Sequence, residues 1–147
     1  MFLRFLGLVV LLNLVRYVIG FLVEPWVIFP GLFHAMEESS AYFNTSFETV
    51  DWVTSYLYNF GVWLVPAWLF HLARPVVRGT DVIASLKVFG ILLVNFAAIS
   101  AVYMNHYSHS RDFYLWNILD AVMMFAVVGL ANGLLYRRVM GPFARSA

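Results

Sequence analysis

Cysteine is absent from the 147 residues, and disulfides, thiolate metal sites and thiol redox chemistry are excluded with it. Charge is also scarce. Asp, Glu, Lys and Arg make up 12% of the chain, against about 25% in an ordinary soluble domain, and the basic residues are too few for a nucleic-acid surface. The chain carries no nucleophile elbow, no glycine-rich phosphate loop and no HExxH pair, so no motif announces an enzyme class. Low-complexity tracts, long linkers and internal repeats are missing as well, which leaves one domain over residues 1–147 as the only division.

What the chain has instead is apolar length. Hydrophobic residues account for 63% of it, and they gather into four stretches: Phe2 to Val23, Val53 to Ala73, Val82 to Met104 and Phe113 to Tyr136. Each is near the roughly 20 residues that a helix needs to cross about 30 Å of hydrocarbon. The expected fold is therefore an all-α integral membrane protein, a four-transmembrane-helix bundle with the lipid bilayer as its main partner. Arg4 ahead of an apolar run resembles the start of a signal peptide. However, the run continues past Arg16 to Val23 with no small-x-small cleavage site after it, so the segment reads as a retained span.

Charge distribution sets an expected orientation. Arg4, Arg74, Arg78, Lys87, Arg137, Arg138 and Arg145 fall on one side of a four-span chain. The first and third connections hold only Arg111 beside Glu24, Glu37, Glu38, Glu48, Asp51 and Asp112. By the positive-inside rule both termini are cytoplasmic, and the asymmetry argues against a dual-topology exporter. Short connections and a retained first span point to a bacterial inner membrane.

Local signals mark the helix ends. Glu24-Pro25-Trp26 and Pro30-Gly31 suggest a tilted or interfacial segment after the first span, with Trp26, Phe29 and Phe33 at headgroup level. Thr45-Ser46-Phe47-Glu48 has the pattern of a capping box, so the second helix is expected to begin near Thr45. Pro66 should kink that helix and Arg74-Pro75 should end it. Thr80-Asp81 offers a cap for the third span, and Ser110 or Asp112 one for the fourth. Asn44-Thr45-Ser46 forms a glycosylation sequon, relevant only in a eukaryotic secretory route.

Polar residues inside the spans are few and fall at one depth. Counted at about 1.5 Å per residue, Arg16 and Asp120 both lie roughly 12 Å below the outer surface, and Asn59, Asn95 and Asn117 lie close to that level. Asn13, Arg16, Gly20 and Glu24 share one helical stripe, as do Asn117, Asp120, Met124 and Ala131. The simplest arrangement is an Arg16–Asp120 ion pair, with the three asparagines meeting the remaining donors and acceptors, because a guanidinium fork fits a carboxylate. Such a layer either fixes helix neighbours or floors an outward pocket for a lipid headgroup, a quinone-like ring, a proton or a small polar ligand. Gly129 and Gly133 form a GxxxG on the opposite face of the fourth span, suited to close helix packing within the chain or against a second subunit.

Histidines raise a separate option. His34, His106 and His109 sit with Glu37 and Glu38 on the outer side, a donor set that suits zinc, copper or iron, or a haem at the membrane edge. HxxH alone is a weak signal, and surface histidines in a polar connection explain it as well; His71 stands apart near the other membrane face. Three functions follow in order. The first is a non-enzymatic accessory subunit or ligand- or lipid-binding bundle, as a homo-oligomer or within a larger membrane complex, with no cofactor. The second is a metal or haem protein acting at the outer surface, and the third a small transporter working through Asp120.

Overall fold

A computed structural model describes residues 1–43, 46 and 48–141. These residues form five α-helices: α1 (Phe2–Val27), α2 (Phe29–Glu38), α3 (Thr49–Ala73), α4 (Asp81–His106) and α5 (Arg111–Met140), with a single 3-10 turn at Ser40–Tyr42. Three of them, α1, α4 and α5, are long and apolar enough to cross a membrane. The fourth expected span, α3, has the length at 25 residues, but its first half carries Asp51, Thr54, Ser55 and Asn59. Its most apolar stretch does not reach that of the other three.

Helix ends follow local chemistry. Pro25 sits inside the last turn of α1, and Ile28, still in the right-handed helical region at φ −103° and ψ −51°, is all that separates α1 from α2. Helix therefore runs well past Val23 and turns into a short second segment. In α3 the first described helical residue is Thr49, and the Glu48 N–H donates to the Asp51 carboxylate at 2.9 Å. Thr45 and Phe47 of the expected capping box, and Asn44 of the sequon, lie outside the described residues. Arg74 caps the end of α3 directly ahead of Pro75, still in the helical conformation at φ −53° and ψ −38°. Thr80 Oγ accepts from the Ile83 N–H at 3.3 Å to start α4, directly after Gly79, whose φ of 118° is a conformation few other residues tolerate.

Packing is concentrated at the end where the basic residues gather. Phe5, Leu8, Val9 and Leu12 of α1 meet Trp63, Ala67 and Phe70 of α3, Ala84, Val88 and Phe89 of α4, and Met124, Val128 and Tyr136 of α5 in one cluster. Lipid tails are as apolar as these side chains, so it is close fit and interhelical hydrogen bonds that hold such a bundle together, not exclusion of water. Glycine supplies the fit between α4 and α5. A Cβ on Gly133 would lie 2.4 Å from the Val82 Cα, and one on Gly129 would lie 3.1 Å from the Phe89 side chain. The GxxxG face is thus occupied by α4 of the same chain.

A hydrogen-bonded relay crosses the same interface. The Asn132 side-chain amide donates to Ser85 Oγ at 2.9 Å, and Ser85 Oγ donates to the Gly129 carbonyl at 2.7 Å. Nearby, His71 Nδ1 and the Tyr136 hydroxyl lie 2.6 Å apart, joining α3 to α5. At the opposite end of the bundle α2 docks on α5, where Gly31 lies against the Trp116 ring so closely that a Cβ would fall 1.9 Å from it.

Candidate functional site

Helical periodicity aligns Arg16, Gly20 and Glu24 on one face of α1, each one turn from the next. Arg16 and Glu24 are two turns apart, yet Arg16 Nη2 lies 2.8 Å from Glu24 Oε1. Gly20 makes this reach available. A Cβ there would stand 2.7 Å from Arg16 Nη1 and 3.0 Å from the Glu24 carboxyl carbon, so a side chain would force the guanidinium to shift. The pair is shielded: the Glu24 side chain is 7% exposed and that of Arg16 18%.

Asp120 enters from α5. Its carboxyl group neighbours Glu24 and lies inside the field of Arg16, while its Oδ1 is buried without a hydrogen-bond donor. The expected Arg16–Asp120 ion pair is therefore corrected. Arg16 is paired with Glu24, and Asp120 neighbours that pair. The sequence reading took Glu24 as a marker of the membrane surface, whereas continuation of α1 to Val27 keeps it buried inside the helix. Arg16 also lies over the Tyr17 ring, 5.4 Å from its centroid, and Tyr17 meets Tyr56 of α3 edge-on at 5.9 Å. In this way the cluster touches three helices.

The asparagines expected at the same level do not join it by hydrogen bonds among the described residues. Asn117 is half-buried and donates to the Phe113 carbonyl of its own helix at 2.7 Å. Asn59 is half-buried on α3, and Asn95 is exposed on α4. Asn13, on the Arg16 stripe, is buried and donates back to the Val9 carbonyl at 2.9 Å. An asparagine one turn after a carbonyl can satisfy its amide locally, so equal depth does not bring such residues together.

A second charged cluster sits at the other end. Asp81 of α4 receives Arg74 Nε at 2.6 Å, and Arg137 of α5 pairs with the same carboxylate. Arg74 also donates to the Val77 and Gly79 carbonyls, which ties the α3–α4 connection to the helix it precedes. Sequence reasoning missed this cluster because it treated Asp81 as a cap and the arginines as orientation marks. A lone acid among basic residues was the signal that it carried.

The residues considered for a metal stay apart. His34 leans on Glu38 of its own helix at 3.6 Å, Glu37 is exposed, His106 Nδ1 bonds the Val102 carbonyl at 2.8 Å, and His109 packs on the Phe43 ring at 5.2 Å. Helix α4 ends at His106, so His109 cannot share a helical face with it. Among the described residues no three His, Cys, Asp or Glu side chains gather as a metal-binding group. Compared with known proteins, the chain matches no protein-family model, no curated protein and no solved structure.

Proposed function

We propose that the chain is a four-span, non-enzymatic membrane protein of a bacterial inner membrane, with both termini cytoplasmic, and that it binds a ligand or serves as an accessory subunit through its buried acid–base cluster. One observation carries this reading: two carboxyl groups, Glu24 and Asp120, face a single guanidinium, Arg16, in the interior of the bundle. With both acids ionised the cluster lacks one positive charge. Uncompensated charge is costly inside a membrane, so the cluster is suited to take up a cationic group or a proton. Packing of Trp63, Ala67 and Phe70 into the common core supports α3 as the fourth span. The basic residues at one end support the orientation.

A second reading, a small proton-coupled transporter, is favoured by the nearness of Asp120 to Glu24, because two neighbouring carboxyls facing one guanidinium can be balanced by a proton. Infrared difference spectroscopy on lipid-reconstituted protein separates the two. A carbonyl stretch from a protonated buried carboxyl, lost in both Glu24→Gln and Asp120→Asn, is expected if a proton supplies the missing charge. Its absence, together with stabilisation by a small organic cation that Asp120→Asn abolishes, is expected for a cationic ligand. If neither signal appears and Glu24→Gln lowers stability, the cluster is only a helix-positioning device and the ligand-binding reading fails.

A further inference from the structure

At the end opposite the Arg16 cluster, a hollow of about 350 Å³ opens between the start of α4 and the end of α5. Its floor is apolar and shallow, formed by Val82, Gly133 and Leu134, because Gly133 brings the two helix backbones almost into contact there. Its rim is charged. Arg137 is held in place by Asp81, which also binds Arg74, whereas Arg138 is exposed and has no ion pair or hydrogen bond among the described residues. Two guanidinium groups thus hold one carboxylate, Arg138 adds a further positive charge at the hollow, and positive charge is in excess. Below the rim, Leu134 and Leu130 are exposed on the same face of α5, one turn apart, and continue into the apolar span.

We propose that this hollow seats an anionic phospholipid, with its phosphate against Arg137 and Arg138 and an acyl chain along Leu134 and Leu130. The two halves of the ligand correspond to the two halves of the site. Guanidinium groups bind phosphate by paired hydrogen bonds, and basic pockets between membrane helices recognise anionic headgroups in this way. A free phosphate would leave the leucine wall without a role, and a zwitterionic lipid would leave the surplus charge unmatched. Prior fixing of Arg137 by Asp81 reduces the ordering cost of binding. The inference is independent of the Arg16–Glu24–Asp120 cluster, so either can fail without the other.

The test uses the full chain in a neutral detergent, with melting temperature read against added short-chain phosphatidylglycerol, phosphatidylcholine or inorganic phosphate. Phosphatidylglycerol is expected to stabilise the protein most, and Arg138→Gln to weaken its apparent affinity about fivefold, the scale for one basic residue near a lipid surface. Arg78→Gln removes the same charge from the same end of the bundle and should leave the affinity nearly unchanged. Equal weakening by the two variants would mean diffuse surface attraction and overturns the site. Equal stabilisation by phosphatidylcholine overturns the charge recognition, and equal stabilisation by inorganic phosphate overturns the assignment to a lipid.

Discussion

The two charged clusters at opposite ends of this bundle are near mirror images in composition. At the basic end one carboxylate, Asp81, is held by two arginines, Arg74 and Arg137. Deeper in α1 and α5 one arginine, Arg16, serves two carboxyls, Glu24 and Asp120. Their surroundings differ as much as their charge. The Arg137 side chain is 54% exposed and can shed its surplus charge into solvent or headgroups, whereas Glu24 is 7% exposed and cannot. Surplus charge at an edge is a means of recognising what lies outside, while surplus charge in the interior has to be compensated within the bundle.

That contrast ranks the effects of breaking each cluster. Arg16→Met should be the most damaging single change, because it strands the buried Glu24 and the half-buried Asp120; the expected loss is about 3–5 kcal/mol, the usual cost of removing one partner from a buried pair. Asp81→Asn should cost less, since Arg137, once released, reaches water and Arg74 keeps the Val77 and Gly79 carbonyls. Reversible unfolding in mixed micelles measures both. Equal losses at the two sites would mean that burial does not distinguish them.

Close backbone contact allows a sharper comparison along one helix. Gly133→Ala places a Cβ 2.4 Å from the Val82 Cα, a backbone atom that cannot rotate away, and should cost about 1–3 kcal/mol as overpacking. Gly129→Ala meets Phe89 Cβ at 3.1 Å, a looser approach than the one at Gly133, and should cost less. The same assay decides; a Gly129 effect as large as that of Gly133 would mean that the whole stripe, and not one contact point, sets the α4–α5 distance.

Ser85→Ala comes next in size. It leaves the Gly129 carbonyl without its donor and the Asn132 amide without its acceptor. Interhelical hydrogen bonds in membranes average about 0.6 kcal/mol, so a loss of roughly 1 kcal/mol is expected for the relay. A double variant with Asn132→Leu should lose less than the sum of the two single changes, because they share the serine hydroxyl.

Legibility in the sequence followed the range of the forces involved. Apolar length identified α1, α4 and α5 as able to span a membrane, and Thr80 and Arg74-Pro75 marked the α3–α4 connection, because these signals act within a few residues. Arg16 and Asp120 were recognised as belonging to one neighbourhood from depth and facing alone. The pairing itself was not legible. It depends on Gly20 leaving a gap for Arg16 to reach along its own helix, and on α1 continuing through Pro25 so that Glu24 stays buried. The asparagines misled for a related reason: Asn117 and Asn13 turn to carbonyls one turn back, a local option open to them at any depth. Ser85 and Asn132 escaped notice because each is ordinary alone, and their relay exists only once α4 and α5 are packed.

Asp120→Asn carries the smallest expected effect on stability and says the most about the cluster. The substitution keeps the shape of the side chain and removes one acid, leaving Arg16 and Glu24 as a balanced pair. If Asp120 were a structural anchor, losing its charge would weaken the bundle as removal of any buried ion-pair partner does. But its Oδ1 has no donor in the bundle and Arg16 is already paired directly with Glu24, so neutralisation relieves Glu24 of a neighbouring acid and gives up only the longer-range attraction of Arg16. Stability should stay within about 0.5 kcal/mol of the parent or rise slightly. Glu24→Gln, by contrast, breaks the direct pair and forces Arg16 to turn to Asp120 across the interhelical gap, so it should be the more harmful of the two isosteric changes. Unfolding measurements on both variants in the same micelles test this order; a larger loss from Asp120→Asn would mean that Arg16 is shared with Asp120 more closely than with Glu24.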